Sequence, residues 1–498
     1  MPPDPVVSPL RARWDAWRTG RLLGPTLTLV SGAAAAQALV FAAQPVLTRL
    51  FRPEAFGVLT VVTTSVAVLS TVASGGYRAA ILLPRDDGAR ANVLALTLAV
   101  ALGTTALAAL GVWALPQWGI ASGTTALALA WLPPALLLTE VAAAVETWHT
   151  GQGRFRVVSW ARVAQSITVV TVRIAVGLAV ACESAWSTLG LVGGAVAGLG
   201  AGAVVGVVWL AFTDGPAARA ALVARRMREL ARRYARFPAF SAPAALLNVA
   251  ATRVPVFALV AFYGEAVVGQ FGIGYGTLAL PLGIVGGAVG QAFFVRAAEA
   301  RWEGDLAALT RTTARGLWSV ASYPALAVAA AGPTLFAWVF GPDWVDAGRY
   351  AQRIAPWLLL ASVAPPLTPV FDVLERQRDE LAVSALMFVG MSGAMLWAGR
   401  TLSALDAVLV AGIVGALLRV LHIAWIVRAA GAPLGGVARD ALVALARAAP
   451  FALAVGAVDR MGASGALVFA AAVVAGLGAL GWEAMRHREP PRPAGTDS

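Results

Sequence analysis

The sequence predicts an all-α integral membrane protein with about fourteen transmembrane helices. Three observations predict this class. Of 498 residues, 59% are apolar and only 13% are charged, and the mean hydropathy is +0.75. Apolar runs of roughly 17–29 residues, long enough to cross a bilayer, recur along the chain. Arginines cluster in alternate segments between these runs. Because no soluble core needs so much apolar sequence, lipid must surround most of the chain.

The predicted spans give two parallel six-helix lobes and a C-terminal helix pair. They cover residues 22–47, 56–73, 91–115, 123–145, 163–182, 188–212, 240–262, 266–294, 316–340, 354–371, 381–397, 405–426, 441–457 and 466–482. The predicted organisation is an interfacial segment at 1–21, an N-lobe at 22–212, a basic cytoplasmic linker at 213–239, a C-lobe at 240–427, a final pair at 441–482 and a cytoplasmic tail at 483–498. Six spans per lobe keep the two lobes parallel, related by an axis along the membrane normal.

Positive charge sets the predicted orientation, because cytoplasmic loops are enriched in arginine. With the N-terminus inside, most loop arginines are cytoplasmic, including seven between residues 219 and 236. An even number of spans then leaves both termini in the cytoplasm. Residues 32–38 resemble a signal-peptide cleavage region, but the apolar run continues to residue 47, which favours a retained first helix. We therefore expect a multi-pass protein of the cytoplasmic membrane.

The longest polar segment, 213–239, contains a basic amphipathic pattern at 225–233. This pattern indicates either attraction to anionic lipid headgroups or a simple connector, and the connector is favoured. A weak internal repeat supports division of the chain into two lobes. Residues 52–57 and residues 264–269 both carry Glu-Ala followed by Gly, at the start of an apolar run.

Arginine at the bilayer centre costs at least ~2.5–3.5 kcal/mol, so it normally faces a partner or a wet cavity. Arg253 lies about halfway along the seventh span, one turn after Asn248, and Arg173 is similarly deep in the fifth. Neither the first nor the seventh span contains an acid. Since guanidinium binds phosphate oxygens in pairs, an arginine-bearing cavity favours a phosphate or diphosphate group over a cation.

Three further arginines are assigned by position. Arg78 follows the second span in a Gly-Gly-Tyr-Arg turn, which places it at the cytoplasmic mouth. Arg419 and Arg447 lie nearer the cytoplasmic ends of their spans, and we interpret them as side chains that extend to the membrane surface.

Polar side chains within spans either join helices or line a hydrophilic cavity. Glu140 is expected to pair with Gln165 or Arg162 across a helix hairpin, which is a structural role. The predicted cavity residues are Arg253, Arg173, Arg78, Asn248, Gln37 and Gln270.

Several function classes are disfavoured by composition. The net charge of +12 lies mainly beside membrane spans, which indicates membrane anchoring and not nucleic-acid binding. Cys182 is the single cysteine, so no cysteine metal cluster or intrachain disulfide can form. The three histidines are scattered, so no metal site or histidine-based triad stands out. We expect no cofactor, and the absence of a nucleotide-binding motif argues against direct ATP hydrolysis.

Short motifs between about residue 45 and residue 380 share an order and spacing with a known family. They are LFRPEAFG at 50–57, YRAAILLP at 77–84 with Ala91-Asn92, RVP at 253–255, FYG at 262–264, PLG at 281–283, and VFGPDW at 339–344 with Ala347-Gly348 and Tyr350-Ala351. On these motifs the chain resembles the polysaccharide-biosynthesis (oligosaccharide flippase) family, O-antigen flippase type. This family belongs to the multidrug/oligosaccharidyl-lipid/polysaccharide exporter superfamily.

The resemblance implies a two-lobed fold with alternating access. The implied cargo is an undecaprenyl-diphosphate-linked oligosaccharide, moved to the outer leaflet for lipopolysaccharide or exopolysaccharide synthesis. It also implies a monomer, with a polysaccharide polymerase and chain-length machinery as partners besides membrane lipids. One departure concerns Arg78, because relatives often carry an acid after the tyrosine equivalent to Tyr77. No cation-coupling role is therefore carried over to this position.

Three alternatives remain open. A flippase of the lipid-linked peptidoglycan precursor would have the same architecture and a similar cationic cavity. A drug/cation antiporter is disfavoured by the absence of an acid in the first span. A membrane polymerase or glycosyltransferase would need a large outer loop, whereas the longest one, at 341–353, is short.

Overall fold

The computed structural model describes residues 23–84, 86–114, 117, 123–180 and 184–486. Within these ranges the secondary structure is helical, without a β-strand, which confirms the predicted all-α class. The predicted interfacial segment at 1–21 and residues 487–498 of the predicted tail lie outside the described residues.

Each of the fourteen predicted spans corresponds to a long helix in the described part of the chain. The helices are α1 (Leu23–Leu50), α2 (Pro53–Ala73), α3 (Asp87–Ala114), α4 (Leu132–Gly151), α5 (Phe155–Ala179), α6 (Ala185–Thr213), α7 (Ala242–Tyr263), α8 (Glu265–Glu303), α9 (Leu306–Phe340), α10 (Val345–Ala361), α11 (Gln377–Thr401), α12 (Ala404–Ala429), α13 (Leu434–Arg460) and α14 (Gly465–Arg486). Short helices lie between several of them.

Thirteen segments, covering α2 to α14, are long and apolar enough to cross a membrane. The helix α1 has 28 residues and matches the first predicted span. Several helices are longer than their predicted spans, as in the 39 residues of α8. The reason is that hydropathy marks only the part of a helix that lies in hydrocarbon, whereas a helix continues into the polar interface.

The helix α10 departs most from its predicted span, 354–371. It runs over Val345–Ala361 and is followed by two short helices, Ala364–Leu367 and Pro369–Val373. Pro365 and Pro366 lack the backbone donors that a continuing helix needs, so α10 ends before them. Non-helical backbone inside a described long helix occurs in α9, at Ala331, two residues before Pro333.

The chain divides into two compact units. Unit 1 holds Val58–Val249 and the chain up to Phe51, whereas unit 2 holds Arg52–Gly57 and Ala250–Ser498. Within unit 1, α5 packs on α1 and α6, and α4 packs on α3 and α6. Within unit 2, α9 packs on α10, α13 and α14, and α10 also packs on α8 and α12. The boundary between the units lies in α7, beyond the linker at 213–239.

The polar linker contains the helix Ala224–Arg233, which matches the predicted amphipathic pattern. Its Leu230 is buried in the core of unit 1, whereas the Arg225 side chain is 89% exposed. The Asn92 side chain, on α3, binds the backbone of the residues that precede this helix. Its Nδ2 donates to the Ala221 oxygen at 2.7 Å, and its Oδ1 accepts from the Val223 backbone nitrogen at 2.9 Å. The linker is therefore fixed to α3 by hydrogen bonds from the Asn92 side chain as well as by packing.

The two segments of the weak internal repeat contact each other within unit 2. A β-carbon at Gly57 would lie 1.8 Å from the Glu265 oxygen, and one at Gly269 would lie 1.9 Å from the Pro53 oxygen. Gly57 thus faces the carbonyl of Glu265, four residues before Gly269. Gly269 faces the carbonyl of Pro53, four residues before Gly57. The contact is reciprocal, because each segment presents a glycine to a carbonyl oxygen of the other.

Candidate functional site

In unit 1, a tight turn after α2 positions Arg78. Gly75 and Gly76 have φ values of 57° and 72°, a left-handed conformation that favours glycine. The short helix Tyr77–Ala80 follows, and the buried Tyr77 donates its hydroxyl to the Ala231 oxygen at 3.3 Å. Arg78 is therefore held half-buried on a fixed turn. Its side chain makes no hydrogen bond or ion pair with any residue that the structure describes.

Glu140 on α4 does not pair as the sequence suggested. Arg162 instead forms an ion pair with Glu146, and Glu140 is completely buried. The predicted pairing is wrong because Glu146 lies nearly two turns further along α4, closer to Arg162 at the start of α5.

Arg173 packs between α5 and α6. Its side chain is 6% exposed, and its Nε donates to the Leu191 oxygen at 3.0 Å. Gly194 makes room for it, because a β-carbon there would lie 2.7 Å from the Arg173 Cγ. The structure thus places this arginine deep in unit 1, with one donor used by the fold.

Arg253, Asn248 and Gln37 are the other candidates with long polar side chains. Arg253 is half-buried in unit 2, and its Nε is buried without a hydrogen-bond partner among the described residues. Asn248 and Gln37 are both exposed. The structure brings none of the six predicted cavity residues into hydrogen-bonding contact with another, within the described ranges.

Gln270 joins two helices of unit 2. Its Nε2 donates to the Asp343 oxygen at 2.6 Å, and its Oε1 accepts from the Ala347 backbone nitrogen at 2.8 Å. Phe56 packs edge-on against Trp344 beside this junction, with ring centroids 5.1 Å apart. Residues from two of the family-like motifs therefore meet Gln270 here and stabilise the fold of unit 2.

Unit 2 also contains a cavity of about 600 Å³ between α8 and the segment that follows α10. Its polar lining includes Tyr275, Gln291, Ser362 and Asp372. Asp372 is the acidic residue of this lining, and no arginine contributes to it. None of the six predicted cavity residues lines it.

Sequence reasoning missed this cavity, although a signal for it was present. Gly283, Gly286, Gly287 and Gly290 share the cavity-facing side of α8. Their spacing of three and four residues places them on one helix face, where the missing side chains leave space. Pro365 and Pro366 form the opposite wall.

Arg419 is a correction to the sequence analysis. It was expected to extend to the membrane surface, but its side chain is 8% exposed. Its Nη1 lies 3.1 Å from the His422 Nδ1, and the His422 ring stacks on Phe371 with centroids 6.2 Å apart. A polar partner one turn along α12 thus keeps the guanidinium inside unit 2. The position of Arg419 within its predicted span indicated its depth in the membrane but not which side chains it contacts.

Outside the spans, Arg154 and Asp214 form a paired contact at the ends of α5 and α6. The Nη1–Oδ2 distance is 2.6 Å and the Nη2–Oδ1 distance is 3.0 Å. Hydrogen bonds from Arg154 hold the pKa of Asp214 below its usual value, and a further bond from Trp148 acts in the same direction. In the described part of the chain, no three His, Cys, Asp or Glu side chains are grouped to hold a metal ion.

The family described as polysaccharide biosynthesis protein matches residues 46–349, which is more than half of the chain. No curated protein sequence matches the chain. Solved structures match most of it. The lipid II flippase MurJ, in an inward closed conformation, has a TM-score of 0.68 at 10% identity and covers 93% of this chain and 100% of its own.

Multidrug transporters of the MATE family give a second group of structural matches. An inward-facing MATE transporter of the MOP superfamily has a TM-score of 0.56 at 14% identity, covering 82% of this chain and 98% of its own. A MOP superfamily transporter from Pyrococcus furiosus, described by the reverse polarity of its binding pocket, has a TM-score of 0.52 at 14% identity, covering 81% and 95%. These matches confirm the predicted MATE/lipid-flippase-like fold.

Proposed function

The chain belongs to the polysaccharide biosynthesis protein family, and we propose that it is a flippase for an undecaprenyl-diphosphate-linked oligosaccharide. In this proposal the cargo moves from the inner to the outer leaflet of the bacterial cytoplasmic membrane, where surface polysaccharide is made. The family match and the structural likeness support a multi-pass membrane protein with the flippase and transporter fold.

Arg253 carries the proposal. Its Nε is buried and has no hydrogen-bond partner among the described residues, and α7 contains no carboxylate. A buried donor is costly unless a ligand accepts its hydrogen bond. Because guanidinium and phosphate oxygens match in geometry, a diphosphate headgroup is the ligand that this side chain favours.

Arg173 and Arg78 support the same ligand class. The helices α1 and α5 contain no acid along their described sequences, so Arg173 has no carboxylate on its own helix. The Arg78 guanidinium has N–H groups for which no described residue is a hydrogen-bond acceptor. The six candidate residues stay part of the proposal, with Gln270 acting through the α8–α10 junction and Asn248 and Gln37 through their exposed amides.

The energetic task is to carry a charged, hydrated headgroup through hydrocarbon while the polyprenyl tail stays in lipid. Fixed cations lower this barrier, and exposing the site to one side at a time avoids an open leak. With both termini in the cytoplasm, an inward-negative potential favours outward movement of the anion by ~2.3 kcal/mol per charge per 100 mV. We propose a monomer that acts beside the polymerase and chain-length machinery.

The second candidate is a flippase of the lipid-linked peptidoglycan precursor. Its specific support is the higher TM-score with the lipid II flippase, 0.68 against 0.56 for the inward-facing MATE transporter. At 10% identity this likeness concerns the fold alone. The antiporter alternative lacks the acid in α1 that a cationic cargo would need.

The test is lipid flipping by the purified protein in proteoliposomes. A fluorescent undecaprenyl-diphosphate-linked oligosaccharide is placed in both leaflets, and a membrane-impermeant reductant then bleaches the outer leaflet. An active flippase brings labelled lipid from the inner leaflet to the outer leaflet, so more than half of the fluorescence is lost. We expect Arg253→Ala to reduce this second phase by at least an order of magnitude.

The matched control is Arg400→Ala, which removes an exposed arginine at the end of α11 and should flip normally. Normal flipping by the Arg253→Ala variant would contradict the role of this residue. Preferred flipping of a labelled peptidoglycan precursor by the wild type would favour the second candidate instead.

A further inference from the structure

Unit 1 contains a cavity of about 630 Å³ between the linker helix Ala224–Arg233 and the turn that precedes α3. This volume lies within the range of ~300–1,000 Å³ that is typical of small-molecule sites. From the linker helix, Arg226, Leu230 and Arg233 line the cavity, and their spacing of four and three residues places them on one face. Leu230 is buried in the core of unit 1, so this wall of the cavity is fixed.

The cavity lies at one end of a predicted span. Ala89 of α3 lines it and precedes the predicted third span, 91–115, by two residues, which is about 3 Å of helix rise. Leu83 also lines it and is 53% exposed, and the neighbouring Leu82 is 48% exposed. Exposed leucines at the boundary between headgroups and acyl chains bury their apolar surface in lipid. The cavity therefore has an apolar rim at the depth of the lipid headgroups.

The two carboxylates of the lining, Asp86 and Glu229, are already bound by arginine. Asp86 Oδ1 accepts hydrogen bonds from the Ala89 backbone nitrogen at 2.6 Å and from the Arg226 Nη2 at 2.9 Å. Glu229 Oε1 accepts a hydrogen bond from the Arg225 Nε at 3.1 Å. Each carboxylate thus has an arginine partner, which disfavours a cationic ligand in this cavity.

Arg233 is the arginine of the lining without an acid partner. Its side chain makes no hydrogen bond or ion pair with any residue in the described ranges, and its Cζ lies 5.7 Å from the centroid of the Tyr234 ring. Arg228, Arg232 and Arg236 of the same segment are exposed and add positive charge. Because guanidinium binds phosphate oxygens in pairs, this excess of positive charge favours an anion that carries phosphate.

We propose that this cavity binds the phosphate group of an anionic phospholipid from the surrounding membrane. Arg233 donates to the phosphate oxygens, and Leu82 and Leu83 contact the first part of the acyl chains. A zwitterionic lipid carries an ammonium group that the neighbouring arginines repel, so a lipid with net negative charge is preferred. A soluble phosphate compound lacks the acyl chains that the apolar rim would contact.

This site is independent of the proposed cargo, and its role is to hold the linker. Asn92 of α3 already binds the backbone of Ala221 and Val223. A lipid bound to Arg233 and to the rim at Leu83 adds a second link between the linker and the turn before α3. Because the linker leads from α6 to α7, the anionic lipid content of the membrane then sets how firmly this connection is held.

The test is native mass spectrometry of the full-length protein in mixed micelles that contain equal amounts of phosphatidylglycerol and phosphatidylcholine with the same acyl chains. We expect the wild type to retain one phosphatidylglycerol molecule in preference to phosphatidylcholine. Arg233→Gln should reduce the affinity for this molecule about tenfold, the scale of one hydrogen bond to a charged group. Glycerol 3-phosphate at the same concentration, which has the phosphate but no acyl chains, should not displace the lipid.

Arg228→Gln is the matched control, since it removes an exposed arginine from the same helix outside the lining of the cavity. It should weaken retention clearly less than Arg233→Gln does. Equal retention of the two lipids by the wild type, equal effects of the two substitutions, or displacement of the lipid by glycerol 3-phosphate would each overturn the proposal. Wild-type melting temperatures of both variants in lipid-free detergent confirm that they are folded.

Discussion

Gly57 and Gly269 occupy equivalent positions where residues 52–57 meet residues 264–269 within unit 2. A β-carbon at Gly269 would lie 2.9 Å from the Gly57 backbone nitrogen, and each glycine faces a carbonyl oxygen of the other segment. The two backbones approach so closely that only hydrogen atoms fit between them. Glycine is thus required here by space, and both residues are buried at the start of their helices.

We predict that Gly57→Ala and Gly269→Ala each destabilise the protein, because the added methyl groups would overlap with backbone oxygens that cannot rotate away. Overpacking of this kind costs ~1–3 kcal/mol or prevents folding. The melting temperature in detergent measures the effect. Gly276→Ala and Gly287→Ala, also on α8, meet no atom within 4 Å and should be nearly neutral. Equal stability of all four variants would refute the close approach.

Gln270→Ala is predicted to destabilise unit 2. The change removes two hydrogen bonds and leaves the Ala347 backbone nitrogen without its acceptor, at a cost of roughly 1–3 kcal/mol. Gln291→Ala, at an exposed amide in the cavity of unit 2, should change the melting temperature little. A similar loss in both variants would show that the junction of α8 and α10 does not depend on Gln270.

The pairing of Arg154 with Asp214 predicts a pH-dependent stability. Because the pKa of Asp214 is lowered in the folded protein, the pair stabilises the fold above about pH 4, the usual value of this group. The contribution is lost as the pH falls further, through the lowered pKa. Asp214→Asn should therefore cost ~1 kcal/mol at pH 7, and the difference between its melting temperature and that of the wild type should shrink as the pH falls below about 4.

The control for this pH dependence is Glu303→Gln, at an exposed carboxyl group at the end of α8. It should follow the wild type at every pH. A constant difference between the wild type and Asp214→Asn from pH 7 to pH 3 would mean that the carboxylate charge does not stabilise the fold.

Asn92→Ala is predicted to release the linker from α3. The variant loses the bonds to the Ala221 oxygen and the Val223 nitrogen, so residues around them should exchange amide hydrogen faster. Hydrogen exchange followed by mass spectrometry measures this locally. Asn248→Ala, at an exposed amide, is the matched control. Unchanged exchange in Asn92→Ala would indicate that packing of Leu230 alone holds the linker.

Much of the fold was predictable because a bilayer imposes a length and a polarity on every span. Each predicted span has its helix, including the short spans at 381–397 and 441–457, which are the apolar parts of α11 and α13. The end of α10 was not predictable from hydropathy, since Pro365 and Pro366 break an apolar run without changing its polarity.

The candidate site was less predictable, because a span position gives depth in the membrane but not direction. Arg419 and Arg173 are both buried, yet only a structure shows that one meets His422 and the other the Leu191 oxygen. Asp372, outside the predicted set, lines the cavity because glycines on α8 leave it open.

The crossing of residues 52–57 with residues 264–269 has the geometry of an isologous interface, in which the same two positions exchange contacts. Neither glycine can therefore change alone, because a side chain added at one position meets the backbone of the other segment. A substitution on one side of this contact calls for a matching change on the other.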